Sequence, residues 1–480
     1  MAPRAATNNF GLEIHNHKGS FMSATTAAAV STDAADRLDF KRVLPIFIIV
    51  LIDLLGLTII IPLLPLYATS FGASAALIGV LGAAYPLMQF IGAPLLGRLS
   101  DRFGRKPILL ISQLGTLVGF LVLGAANSLW LLFASRIIDG LSGANIATAQ
   151  AVISDVTNEK TRTQGLGLLG AAFGLGFVVG PIIAFVSLSL SANNYHVPAF
   201  IAAIFSAISI LLTWFLLEET HGPDKRNTDK SKPMLGFAAM FEALRHPQVG
   251  MLLVLIFAQQ IAFGGFEQML ALFTLNRLGL NASGNAVIFV FVGIIVVAVQ
   301  GGLIGRWSRR WGDRRLIYLG LATLTLGLAL TALTPRQPPP WYNTAAVTQE
   351  LTATDAGTRR LPGETPPTYN LPIALPSDAN KGWLGLGWLL LAMIPASIGG
   401  GVLQPAINSL ITKRVADNER GGILGISAAF LSGANALAPL LGGVVFQWGG
   451  ASAPFWLWAA IMGLLLIASL QVIEPDRVRA

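Results

Sequence analysis

Ionisable side chains inside long apolar stretches are where this chain could do chemistry. Asp53 lies well inside the apolar run 43–67. At about 1.5 Å of rise per residue, a helix there carries it close to a membrane midplane. Arg136 and Asp139 are three apart in the run 130–153, so they share a helical face, with Gln150 further along a similar face. Glu267 belongs to a stripe of Gln260, Gly264, Glu267, Gln268 and Ala271 at helical spacing in the run 249–274. An ionisable group at membrane depth costs about 2.5–3.5 kcal/mol on insertion scales, so each needs a reason. A carboxyl in a medium of low dielectric is hard to ionise. Asp53 or Glu267 is therefore suited to exchange a proton near neutral pH and to alternate between proton and substrate. Structural readings stay open beside this: Asp53 as partner of a buried cation, Asp139 as a local ion pair with Arg136, Glu267 at the outer interface. A polar stripe on a spanning helix should face a water-filled cavity and not lipid. Phe263 and Phe266 beside it offer aromatic faces to an amphipathic or cationic compound.

Other chemistries find no residues. The chain has no cysteine and its five histidines are scattered, so no thiolate or histidine metal set is expected. No GxxxxGK[ST] loop occurs, which disfavours nucleotide hydrolysis. We expect no enzyme, no cofactor and no metal.

The elements that must position these residues follow from composition. Of 480 residues, 54% are hydrophobic and 12% charged, against about 25% charged in soluble domains. Membrane-length runs of about 20 residues are predicted near 43–67, 77–96, 108–126, 130–153, 165–187, 197–217, 249–274, 285–305, 316–334, 383–411, 422–445 and 453–473. The net charge of +8 is no nucleic-acid footprint, because the basic residues sit in short loops between these runs. Lys and Arg crowd the loops at 97–107, 154–164, 218–248, 306–315, 412–421 and 474–480 and are sparse in the opposite set. That contrast puts both termini in the cytoplasm.

The predicted organisation is a disordered N-terminal tail (1–42), a six-helix bundle (43–217), a cytoplasmic linker (218–248), a second six-helix bundle (249–473) and a short tail (474–480). The second bundle carries an extracytoplasmic insertion, 335–382, rich in Pro and Thr and expected to be disordered or loosely packed. In the linker, Phe237, Phe241 and Leu244 have the spacing of a short amphipathic helix.

One turn organises the first bundle: Gly97-Arg98-Leu99-Ser100-Asp101-Arg102-Phe103-Gly104-Arg105-Lys106. Asp101 and Arg105 are four apart and can pair. A weaker copy with the same glycine spacing runs from Gly305 to Arg314. A glycine-rich run in the fifth span includes Gly170, Gly174, Gly176, Gly180 and Pro181. Its four-residue spacings let helix backbones approach closely, and Pro181 removes one helical hydrogen bond.

The turn at 97–106 resembles the signature between the second and third helices of the major facilitator superfamily. The first span, Leu51-Ile52-Asp53-Leu54-Leu55-Gly56 through Pro62-Leu63-Leu64-Pro65, resembles tetracycline/proton antiporters, and Arg136 to Leu141 resembles the superfamily's fourth-helix motif. The glycine run resembles the antiporter motif of drug exporters, departing from it after Pro181. The resemblance implies an all-α fold of twelve transmembrane helices in two pseudo-symmetric six-helix bundles, with a site between them. It implies proton-coupled efflux of small amphipathic, drug- or tetracycline-like compounds by alternating access. Asp53, Arg136, Asp139 and Glu267 would couple protons to substrate, and Gln150, Gln260, Phe263 and Gln268 would line the cavity. Gly97, Asp101, Arg102, Gly104, Arg105, Lys106, Asp155 and Arg162 would form the cytoplasmic gate. The expected partners are the lipid bilayer of the inner membrane, protons and a small molecule, and the chain is expected to act as a monomer. Proton-coupled uptake or uniport of a metabolite, or a transport-dead receptor, are the alternatives.

Overall fold

Apolar residues run round every face of the long segments, so helices are the form in which their backbone polar groups can be satisfied away from water. The computed structural model describes residues 40–143, 145–157, 161–221, 237–245, 249–353, 373–415 and 420–472. Among these there are helices and loops and no strand. The first half comprises α1 (Phe40–Ile60), α2 (Leu64–Ser70), α3 (Ala75–Phe103), α4 (Arg105–Gly124), α5 (Leu129–Ser142), α6 (Asn145–Val156), α7 (Arg162–Leu190) and α8 (His196–Leu216). A short helix, α9 (Phe237–Arg245), leads to the second half. That half holds α10 (Gly250–Leu278), α11 (Ala282–Ala298), α12 (Ile304–Trp311), α13 (Asp313–Ala332), α14 (Thr344–Ala353), α15 (Leu384–Arg414), α16 (Arg420–Gly449) and α17 (Ala453–Val472).

Among the described residues, eleven helical stretches are long and apolar enough to cross a membrane. The predicted run 130–153 is not among them, because it is two helices, α5 and α6, parted at Gly143. The tails lie mostly outside the described residues, as do 222–236 and 246–248 of the linker and 354–372 of the insertion. The described part of the insertion departs from the expectation of disorder: α14 is a formed helix, with Tyr342, Val347, Leu351 and Ile373 buried in the main core.

The halves meet along two seams built on small residues. In the first, α3 packs on α16. A Cβ on Gly79 would stand 2.4 Å from Pro439 O, and one on Gly443 would stand 2.5 Å from Ala75 O. Gln447 Oε1 accepts from Ala75 N at 3.0 Å at the end of this seam. In the second, α7 packs on α11, where a Cβ on Gly293 would be 2.7 Å from Phe177 O. Both contacts lie toward the side opposite the Gly97–Lys106 turn. On that far side the two halves touch.

Candidate functional site

The break at Gly143 builds the site. Interrupting a helix at membrane depth frees backbone carbonyls that need donors. Ser112 Oγ donates to Ser142 O, and Gln89 Nε2 donates to Gly143 O at 2.8 Å. With its carbonyls satisfied from α3 and α4, the chain restarts as α6 and turns Asn145 toward α1. Asn145 Nδ2 donates to Asp53 Oδ2 at 2.8 Å and lies 3.5 Å from Thr116 Oγ1.

Asp53, Tyr85, Gln89, Thr116, Asp139 and Asn145 line one cavity, with Phe120 and Leu57 among its apolar walls. It offers about 20 Å³ to the centre of a water molecule, enough for about one water. Asp53 Oδ1 and Asn145 Oδ1 are buried without a hydrogen-bond partner among the described residues. Arg136 Nη1 lies 3.2 Å from Asp139 Oδ2, both side chains almost wholly buried. The guanidinium sits over the Phe120 ring, 5.6 Å from its centroid. The pair is made, and its carboxylate lines the cavity that Asp53 lines. Two carboxyls and an amide line the cavity, and a guanidinium pairs with one of the carboxyls; such a set can hold a proton and change its position.

The remaining expected site residues stand elsewhere. Gln150 is exposed on α6 and is not among the residues lining this cavity. Glu267, on α10 in the second half, is not among them either. Of its polar neighbours on α10, Gln260 is bonded within that half, its Nε2 donating to Asn435 Oδ1 of α16 at 2.7 Å. Gln268 Oε1 would be 3.1 Å from a Cβ on Gly82 of α3, which places it where the halves meet. The Phe263 ring lies against Gly400 of α15.

The glycine run of α7 connects these parts. A Cβ on Gly180 would stand 2.1 Å from Thr58 Oγ1, and one on Gly176 would stand 3.5 Å from Leu54 Cβ, so this face lies on α1 beside Asp53. Gly174 faces Val297 of α11, across the seam. Gly170 belongs to the helix, with its surroundings outside the described residues, and Pro181 is buried within it. One helix thus touches both the carrier of Asp53 and the opposite half.

At the turn, Arg105 is buried and bonds Asp101 Oδ1 at 2.6 Å, Asp155 Oδ2 at 3.0 Å and Ser100 Oγ at 2.7 Å. Gly104 takes φ +108°, a region that L side chains rarely adopt. Glu219 fills the space above it, accepting from Arg105 N at 2.8 Å and Lys106 N at 3.2 Å. A carboxylate there meets the positive end of α4. Lys106 Nζ donates to Trp214 O, Arg102 lies over the Phe103 ring, and a Cβ on Gly97 would meet no described atom within 4 Å. Arg162 opens α7, with its side chain outside the described set. Among the described residues, the side-chain partners of Arg105 and Asp155 belong to the first half or to the start of the linker. In the second copy, Asp313 Oδ2 pairs with Lys413 Nζ at 2.6 Å and accepts from Ser409 Oγ, again within one half.

Sequence reading missed Asn145, Thr116, Tyr85 and Gln89. The available signal was Gly143 followed closely by Asn145, a breaker and a short amide inside an apolar run.

The Major Facilitator Superfamily profile matches residues 46–354 and 375–480. The chain belongs to the Major Facilitator Superfamily. Among its relatives in the superfamily, "Tetracycline resistance protein, class B" of Escherichia coli is 28% identical over 421 residues, covering 87% of this chain and 91% of that protein. "Multidrug resistance protein 1" of Bacillus subtilis (strain 168) is 26% identical over 398 residues, covering 82% and 87%. The fold is shared with a POT family transporter solved in complex with 5-aminolevulinic acid, at TM-score 0.66 and 13% identity, covering 90% of this chain and 96% of that one. The human organic anion transporter MFSD10 (TETRAN) matches at TM-score 0.60 and 22% identity, covering 90% and 100%. The protein is therefore a multi-pass membrane transporter of the superfamily, similar to tetracycline and multidrug resistance proteins.

Proposed function

We propose that this superfamily member exports small amphipathic compounds, of drug or tetracycline type, in exchange for protons, working as a monomer by alternating access. The observation that carries the reading is the placement of Asp53. Its carboxyl sits in a water-sized cavity, held by Asn145 and facing the Arg136–Asp139 pair. Its helix is gripped by α7, which also forms a seam with the other half. A change of charge at Asp53 alters what α1 can tolerate around it, and α7 carries the consequence to the seam. Conformations that differ by a few kcal/mol are shifted by such a differential interaction.

In this reading Glu267, Gln260, Gln268 and Phe263 contact the compound near the centre, and Gln150 lies on its route. The broken fourth element, α5 with α6, completes twelve crossings. The Gly97–Lys106 side faces the cytoplasm of an inner membrane, with both termini there. No bond of the substrate is made or broken, and no cofactor or metal is used.

The test is substrate-induced proton flux in proteoliposomes, wild type against Asp53→Asn, over cationic dyes and tetracyclines. A compound that moves protons in wild type and not in the variant supports antiport through Asp53. Transport unchanged in Asp53→Asn overturns the role of Asp53. Accumulation of a metabolite with protons, instead of exchange, overturns export.

A further inference from the structure

The insertion between α13 and α15 ties the two halves together on the far side. Its helix α14 packs its apolar face into the core through Val347 and Leu351 and lies against α2, which belongs to the first half. Glu350 projects from the same helix and is half-buried. Its Oε2 accepts from Asn193 Nδ2 at 3.1 Å and from Asn281 Nδ2 at 3.0 Å, and Tyr195 Oη is 3.4 Å from Oε1.

These donors come from different halves. Asn193 and Tyr195 stand in the turn that follows α7, where Ala192 and Asn193 both take positive φ, 52° and 60°. Asn193 N is bonded to Leu188 O at 2.8 Å, so the turn is fixed to the end of α7. Tyr195 stacks on Tyr67 of α2, ring centroids 5.2 Å apart. Asn281 is the residue before α11. Its Oδ1 accepts from Gly284 N at 3.0 Å, which caps the helix and leaves its amide nitrogen for Glu350. One carboxyl therefore spans the outer ends of α7 and α11, the pair whose deeper residues form the second seam. Those helices cannot separate on the far side while Glu350 keeps bonds to both. Whichever half α14 follows, one set of bonds must break.

The geometry points to α14 as a latch, with Glu350 holding the far side shut by bridging Asn193 and Tyr195 of one half to Asn281 of the other. This rests on alternating access and on neither the substrate nor the proton coupling proposed above. The latch sets how often the far side opens. Hydrogen bonds to a charged group are strong and leave costly orphans when cut, so removing the carboxyl should favour opening.

The chain has no cysteine, which makes a single introduced thiol a clean reporter. Val178 sits in the seam, its Cγ2 3.1 Å from a Cβ placed on Gly293. With Val178→Cys in the full chain in membranes, labelling by an impermeant maleimide is followed from the far side. Glu350→Ala should raise the labelling rate about tenfold, and Asn193→Ala should raise it too. The pair combined should do little more than Glu350→Ala alone, because the Glu350 bond that Asn193→Ala removes is already lost in Glu350→Ala. Gln349→Ala, on the exposed face of α14, should leave the rate unchanged. Thermal unfolding of each purified variant separates opening from loss of fold, and Glu350→Gln, which keeps an acceptor, should lie between wild type and alanine. A rate unchanged in folded Glu350→Ala or Glu350→Gln overturns the latch, as does full additivity with Asn193→Ala. Failure of the transport assay with the labelling pattern intact would count against the proposed antiport alone.

Discussion

Asn145 and Asp53, ninety-two positions apart, are joined by a 2.8 Å hydrogen bond between helices α6 and α1. The bond exists because α5 stops at Ser142, and the carbonyls at the break are satisfied by Ser112 and Gln89. Removing the amide takes from the buried carboxyl the donor that holds its Oδ2. Asn145→Ala should therefore destabilise the protein by about 1–3 kcal/mol and lower substrate-coupled proton flux. Asn145→Gln should lose flux with less loss of stability. Thermal unfolding and flux in proteoliposomes, measured together, check both.

Gly104 and Glu219 make a second tight arrangement. A Cβ on Gly104 would stand 2.4 Å from Glu219 Oε2, at φ +108°. Gly104→Ala adds backbone strain of about 1–3 kcal/mol and pushes the carboxylate off the start of α4. A lower midpoint of unfolding is expected, with a smaller loss for Glu219→Gln, which keeps an acceptor. Equal midpoints for Gly104→Ala and wild type would contradict this account.

The first seam tolerates only small residues, since a Cβ on Gly443 meets Ala75 O at 2.5 Å and Gly79 Cα at 2.8 Å. Gly443→Leu should keep the far side from closing. Transport should fall to background while a thiol at Val178 becomes reactive from that side, and the protein should still purify folded. Preserved transport would show that the seam can part there without consequence.

Asp378 gives a pH dependence outside the membrane. Its carboxylate accepts from Thr344 N, the first residue of α14, at 3.3 Å and lies 2.9 Å from Lys381 Nζ. These contacts, that with Thr344 first, hold its pKa below the ordinary 3.8. The folded form thus binds the proton less readily than the unfolded one. The stabilisation is present above the ordinary value and lost as pH falls through the depressed one. Amide exchange at 344–347, corrected for its intrinsic rate, should speed up as pH falls below the ordinary value of 3.8. Asp378→Asn should abolish that change.

The sequence by itself determined eleven of the twelve predicted spans, the basic turn and the charges within the apolar runs. The reason is physical: a bilayer demands apolar runs of about 20 residues, and every exception to them must be explained. Asp53, Arg136, Asp139 and Glu267 stood out on that ground alone. Only the tertiary structure decided which of them meet. It put Asp53 and Asp139 in one cavity and left Glu267 in the other half. It split the fourth run to free Asn145, turned two faces of one glycine-rich helix toward α1 and α11, and folded α14 so that Glu350 reaches both halves. Such contacts join positions far apart in the chain. They depend on backbone breaks, helix rotation and close approach at glycines, none of which the periodicity of a single apolar run records.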